Sequence, residues 1–367
     1  MGFGPRWLCG ILPIVWQNLL DIGIVRRLGS MGMRSIRVVC IWDFSPEQLA
    51  RLQGTAPGLE VTAVPWQQRR EAAALLRTAE VVLASDLPSG PEATPHLRWL
   101  QIGHAGLDDL CGHPIVRSGI AVTNASGIHA VPMAEHALGM MLTWCRQLHR
   151  TMGWQSRRMW PHGRRQAYHA TDLRGRTLGI IGYGSIGREA GRLAQAHGMR
   201  VLALSRTQER QDHGWCEPGT GDPTGDIPAR WYGPEGIRPL LSESDYVLVA
   251  APLTCETRGM ISSEELAACK PHVFLVNVGR GAILDEEALI AALREGTIGG
   301  VGLDVFAEEP LPRSSPLWRM ENAIVTPHVS GSSAGNSERL TTLFAENLAR
   351  YVHGRPLLNT VSPERGY

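Results

Sequence analysis

The stretch Leu178-Gly-Ile-Ile-Gly-Tyr-Gly-Ser-Ile-Gly187 decides how the chain folds. A short apolar run enters Gly182-x-Gly184-x-x-Gly187, and a helix-like stretch follows over 188–197. Strand, glycine turn and helix in that order are what a dinucleotide pyrophosphate needs. The first glycine makes the tight turn, the second lets the backbone approach the phosphates, and the third lets the helix pack closely on the strand. The helix then points its first N–H groups and its dipole at the anion. Glycine-rich turns are common, so the pattern alone is weak. Here a second strand over 200–205 completes a βαβ unit of the expected length.

Outward from this unit, β-rich runs continue at 246–250, 273–278, 300–304 and 324–325. An earlier series runs through 36–43, 59–65, 80–86 and 99–103, with helical stretches over 47–52 and 71–76. Strands alternating with helices indicate parallel α/β sheets. Between the two series lies 131–150, apolar on nearly all sides and therefore read as one buried helix. An amphipathic helix over 334–352 follows the second series. The expected fold is α/β, with two Rossmann-like doubly wound domains. A dinucleotide-binding domain (131–330) is inserted into a discontinuous, flavodoxin-like substrate domain (34–130 and 331–360). The segment 208–236, rich in Gly, Pro and Asp and without a clear period, reads as a long surface excursion.

A chain of 367 residues has room for two cores. Its net charge of +1 gives no reason to expect nucleic acid or an anionic membrane as a partner. The seven cysteines are an odd number with no C-x-x-C pair, which speaks against a disulfide framework or a zinc site and for a reducing cytosol. The apolar stretch 7–25 is interrupted by Pro13, Gln17, Asn18 and Asp21, which a span of about 20 residues tolerates poorly. Residues 1–33 are read as a poorly ordered N-terminal extension.

Three polar residues stand at the ends of apolar runs in the second series. Arg280 ends Phe274-Leu-Val-Asn-Val-Gly-Arg-Gly281, Glu309 follows Gly302-Leu-Asp-Val-Phe306, and His328 closes Thr326-Pro-His328. Ligands of open α/β sheets bind beyond the carboxyl ends of the strands. Arginine offers a planar fork to a carboxylate. Histidine exchanges a proton near neutral pH, and a carboxylate beside it favours the charged ring. Singly these could be a surface cation, a solvated acid and a loop histidine. Together, behind a dinucleotide turn, they form a constellation for reducing a 2-oxo acid.

At these residues the chain closely resembles the D-isomer-specific 2-hydroxyacid dehydrogenase family over about 34–356. The resemblance rests on Ala125-Ser-Gly127, Pro132-Met-Ala-Glu-His-Ala-Leu138, the glycine turn, Asn277-Val-Gly-Arg-Gly281, Gly302-Leu-Asp-Val-Phe306 with Glu309-Pro310, and Thr326-Pro-His328. It implies that Arg280 holds the substrate carboxylate and carbonyl, that His328 is the acid/base, and that Glu309 is its partner. It implies a loop, Gln101-Ile-Gly-His-Ala-Gly106, in which the amides of Ala105 and Gly106 grip the carboxylate. His104 stands there in place of a small residue and is taken as a pocket residue. The implied cofactor path runs along Gly182, Gly184, Ser185, Ile186, Gly187, Ser205, Arg206, Thr207, Pro252, Thr257 and Val278 to Asp304, at the nicotinamide carboxamide, and His328.

One departure bears on the cofactor. NAD-binding units carry an acid after the second strand to accept bonds from the ribose 2′-hydroxyl. Here that place reads Leu204-Ser-Arg-Thr207, with donors, one positive charge and no acid. That suits a 2′-phosphate, so NADP(H) is the expected cofactor, with NAD(H) as the alternative. The resemblance further implies a homodimer in which Trp160 and its neighbours reach the other subunit's pocket. The expected activity is cytosolic reduction of a small 2-oxo acid to a D-2-hydroxy acid, as in glyoxylate or hydroxypyruvate reduction. Its rivals are a redox-sensing or corepressor-like binding protein, which the intact Arg280, Glu309 and His328 set argues against, and phosphonate oxidation, which keeps a similar triad.

Overall fold

In the computed structural model, which describes residues 34–86, 88–106, 113–163 and 168–362, the early β-rich runs pair in parallel. Strands β1 (Ile36–Ile41), β2 (Leu59–Val64), β3 (Val81–Ala84), β4 (Trp99–Ile102) and β5 (Ala121–Thr123) form a sheet in the order β2-β1-β3-β4-β5. This is the flavodoxin-like order. Every residue of β3 and β4 is buried, as strands covered on both faces must be. Strand β5 has only three residues, too few to show a period in the sequence.

The second sheet contains β6 (Thr177–Ile181), β7 (Arg200–Leu204), β8 (Arg230–Tyr232), β9 (Tyr246–Val249), β10 (Phe274–Asn277), β11 (Gly300–Leu303) and β12 (Ala323–Val325). Its order, β12-β11-β10-β9-β6-β7-β8, is all parallel and reverses direction between β6 and β9. That reversal is the switch point of a Rossmann fold, where a dinucleotide binds. The helix Asn336–Val352 then returns to the first sheet. Its Leu340, Leu343, Phe344 and Leu348, spaced three and four apart, pack with Ile36, Val38, Cys40 and Trp99.

Two expectations need correction. The stretch 131–150 is not one helix: Ala130–Cys145 ends, and Leu148–Ser156 begins after Gln147 in the left-handed region at φ 50°. Apolar composition marks burial but carries no sign of such a break. The segment 208–236 is exposed over much of its length but is more than a surface excursion. Its end forms β8, and its middle is held at both sides. Trp215 is buried among Ala125, Ile128, Leu340 and Phe344 and donates its backbone N–H to Asn359 Oδ1 (2.9 Å), while Glu217 pairs with Arg339 (2.6 Å). On the other side Asp222, also buried, meets Tyr183 and Arg188 at the head of the cofactor unit. Several polar residues that make the segment look solvent-bound, Asp222 and Glu217 among them, are spent on internal bonds. Residues 1–33, read as an extension, lie outside the described residues.

Candidate active site

The glycine turn does three separate jobs. Gly182 lies at φ 93°, and a Cβ there would come within 2.6 Å of the Ala251 nitrogen. A Cβ on Gly187 would come within 2.4 Å of the Gly182 oxygen, so helix and strand touch through bare backbone. Gly184 is different, because a Cβ on it would meet nothing within 4 Å. It precedes the helix Ser185–Ala196 in an extended conformation, and no side chain caps that helix. Uncapped first-turn amides above an open glycine fit a dinucleotide pyrophosphate.

The other residues of the implied cofactor path surround this turn. Gly182 donates to Leu204 O (2.9 Å), which brings Ser205, Arg206 and Thr207 to its side; Arg206 and Thr207 are exposed. On the other side Thr257 closes the turn after β9 by donating to Pro252 O (2.7 Å). Val278 is buried and bonded through its N–H to Val249 O (3.1 Å), so only its backbone edges the site. Ile186 packs into the core beneath the helix, and Ser185 Oγ lies 3.4 Å from Ser126 Oγ of the first unit.

Arg280, Glu309 and His328 converge because their strands are neighbours in register. Asn277 pairs with Leu303, and Leu303 with Val325, so the three chains leave the sheet at one level. Each then turns under local control. Buried Asn277 accepts from Gly279 N (3.0 Å) and donates to Arg280 O (3.0 Å), shaping the turn that carries Arg280. Gly281 lies against Phe306 so closely that a Cβ could not be placed. Glu309 receives Phe306 N at one oxygen (2.9 Å), and its other oxygen is 2.6 Å from His328 Nδ1. That leaves His328 Nε2 unengaged by Glu309.

His328 has φ 52°, a strained region for a non-glycine residue. Asp304 offsets the strain. Its carboxylate accepts from Val329 N (3.0 Å), Ser330 N (2.8 Å) and Thr326 Oγ1 (2.5 Å), and its carbonyl accepts from His328 N (2.8 Å). Burial pushes this carboxyl up, but the hydrogen bonds from Ser330, Thr326 and Val329 outweigh it and hold it below the usual carboxylate range. Asp304 is fully buried, and its carboxylate shapes the His328 turn. His136 reaches Thr326 Oγ1 from the helix Ala130–Cys145 (3.1 Å). Asn277, Thr326 and His136 were missed as contributors, although all three stand inside the motifs quoted above.

His104 is exposed, with its ring between Ser85 O and Gly106 O. Ala105 O accepts from Asn124 Nδ2 (3.2 Å), which draws the loop toward the second half of the first unit. Trp160, at 78 % exposure, is too open to line a pocket within one chain. Among the described residues no group of His, Cys, Asp or Glu could hold a metal ion, and no helix is long and apolar enough to cross a membrane.

Residues 138–330 match the family model described as D-isomer specific 2-hydroxyacid dehydrogenase, NAD binding domain. A glyoxylate reductase of Pyrococcus furiosus is 35% identical over 269 residues, 72% of this chain and 75% of its own length. One from Korarchaeum cryptofilum is 34% identical over 278 residues, 74% of this chain and 78% of its own. Among solved structures, a D-isomer specific 2-hydroxyacid dehydrogenase of Xanthobacter autotrophicus in complex with NADPH and MES is 30% identical, with a TM-score of 0.73 over 91% of this chain and 100% of that one. An NADPH-dependent glyoxylate/hydroxypyruvate reductase of Sinorhizobium meliloti, in complex with NADP and sulfate, gives 25% and 0.71 over 91% and 100%. With this fold, this turn and these relatives, the chain belongs to the D-isomer specific 2-hydroxyacid dehydrogenase family and is an NAD(P)-dependent enzyme of it.

Proposed function

We propose that the protein reduces a small 2-oxo acid, of the glyoxylate or hydroxypyruvate kind, to the D-2-hydroxy acid with NADP(H) as the preferred cofactor. The observation that carries this reading is the contact of His328 Nδ1 with Glu309 (2.6 Å) at the strand ends beside the glycine turn. The bound nicotinamide supplies the hydride. His328 gives its Nε2 proton to the carbonyl oxygen as that oxygen becomes a hydroxyl, and Glu309 fixes the ring and supports its charge. Arg280 and the amides of Ala105 and Gly106 hold the carboxylate, and Arg280 stabilises the charge developing on the oxygen. Ser205, Arg206 and Thr207 receive the 2′-phosphate; the NADPH and NADP in the two solved relatives support this choice.

The return of the helix Asn336–Val352 to the first sheet supports a division into 34–130 with 331–360 and 131–330. Leu148, Met152, Met159 and Trp160, all exposed along one stretch, support a homodimer in which this stretch meets a second copy. The five described cysteines are free thiols, which accords with a cytosolic setting. The test is consumption of NADPH and NADH across glyoxylate, hydroxypyruvate, pyruvate, and branched and aromatic 2-oxo acids. Turnover of none of them would sink the proposal.

A further inference from the structure

Arg188 stands one residue after the last glycine of the cofactor turn, in the first turn of the helix Ser185–Ala196, and it is buried. Arginine is seldom buried unless its donors find partners inside the protein. Here Nη1 donates to Asp222 O (2.5 Å), Nη2 donates to Glu209 O (3.4 Å), and Nε lies 3.6 Å from an Asp212 carboxylate oxygen. The guanidinium also lies over the Tyr183 ring, 5.4 Å from its centre. One planar fork therefore joins two separate stretches of chain to the head of the cofactor helix. The two stretches touch each other as well. Asp212 N donates to Pro223 O (2.9 Å), and a Cβ on Gly225, at φ 69°, would come within 2.4 Å of Arg210 O.

The nearer stretch runs straight back to Ser205, Arg206 and Thr207. Ser205 N donates to Tyr232 O (3.1 Å), which fixes the end of β7. Gln208 then lies at φ 51°, a region that non-glycine residues seldom adopt. Strain of this kind persists where the surroundings over-determine it. The restraint falls on Glu209, whose N–H donates to Thr207 Oγ1 (3.4 Å) and whose carbonyl accepts from Arg188.

We propose that Arg188 is a positioning residue for cofactor choice: it holds the 206–209 turn so that Arg206 and Thr207 stay at the ribose 2′ position. The proposal rests on the reading of Ser205, Arg206 and Thr207 as the 2′-phosphate site. At 4 % exposure Arg188 acts on the cofactor through this turn. NADPH needs the turn to meet its phosphate, whereas NADH presents a hydroxyl there and gains little from it.

The test is calorimetric titration of NADPH and of NADH into the full chain as wild type, Arg188→Lys, Arg206→Ala and the double variant. Lysine keeps the charge but loses the fork that spans two carbonyls. Arg188→Lys should weaken NADPH by roughly three- to tenfold, part of the tenfold to hundredfold expected for losing Arg206 itself, and change NADH by less than about twofold. In the Arg206→Ala background the same substitution should add little, because the residue it positions is gone. Arg188→Lys should also melt below wild type, but a merely structural role would not move the ratio of the two affinities. Equal loss of both cofactors, or losses that add fully in the double variant, overturn the proposal while the 2′-phosphate reading stands. A wild type that prefers NADH refutes that reading and the proposal with it. Should Arg188→Lys fail to fold, cofactor-free wild type decides: the Asp212 amide should exchange its hydrogen slowly, and fast exchange would show that the turn is not held.

Discussion

The Tyr183 hydroxyl donates to Asp222 Oδ2 at 2.9 Å, so the residue between the first two glycines of the cofactor turn holds a segment about forty positions downstream. Asp222 accepts as well from Asp226 N (3.1 Å) and Ile227 N (3.2 Å), and Arg188 bonds its carbonyl. With Trp215 and Glu217 anchored on the first unit, the segment joins the back of the cofactor turn to the helix Asn336–Val352. Tyr183→Phe removes one hydrogen bond to a charged group and should cost about 1–3 kcal/mol in denaturant unfolding. Asp222→Ala strips the acceptor from three donors and should cost more. Equal, negligible effects would mean that the segment is not braced here.

His328→Ala should lower kcat by roughly 10²–10⁴, as expected for loss of a general acid. Glu309 holds the ring through Nδ1 (2.6 Å), so Glu309→Ala should lower kcat with the fold intact, while Glu309→Gln, which can still bond the ring, should lose less. Equal kcat in Glu309→Ala and wild type would remove Glu309 from this role.

The three glycines should separate in mutagenesis. Alanine at Gly182 or Gly187 would strike backbone atoms within 2.6 or 2.4 Å, so both variants should be less stable even without cofactor. Gly184→Ala has space and should melt like wild type, yet bind NADPH poorly because the added methyl occupies the phosphate approach. Calorimetry with and without NADPH distinguishes the two outcomes.

Arg206→Ala should weaken NADPH binding by about tenfold to a hundredfold, the worth of one charge-assisted hydrogen bond, and leave NADH binding nearly unchanged. Ser205→Asp should go further, repelling the 2′-phosphate and accepting from a free ribose hydroxyl. Equal loss of both cofactors in Arg206→Ala would refute the assignment.

Asp245 supplies a pH signature away from the site. Burial raises its pKa, but bonds from Lys270 (2.8 Å), Thr177 N (2.8 Å) and His272 (2.9 Å) outweigh that and bring it to about 2. A carboxyl depressed in the folded state stabilises the protein above its unfolded pKa and loses that contribution as pH falls toward the folded value. Asp245→Asn should therefore cost on the order of 1–2 kcal/mol near neutrality. The gap should close between about pH 4 and 2. A gap constant across that range would show that the charge is not responsible.

Residue spacing alone revealed the parallel α/β class, the glycine turn, and the strand ends that carry Arg280, Glu309 and His328. Each of these is local: a turn needs its glycine, and a buried strand needs its apolar run, wherever the rest of the chain goes. Register, by contrast, belongs to pairs of strands. That Asn277, Leu303 and Val325 lie level, and so bring three distant residues to one edge, is settled only when β10, β11 and β12 pair. The same holds for polar residues whose meaning depends on a distant partner. Asp222 reads as one more loop acid until Tyr183 and Arg188 close on it. Asp304 shows its hold on the 326–330 turn only when that turn surrounds it. His104 gives no sign in the sequence of the Ser85 O and Gly106 O contacts at its two nitrogens. A hydrogen bond is a property of two groups, and when they are far apart in the chain only the tertiary structure brings both into view.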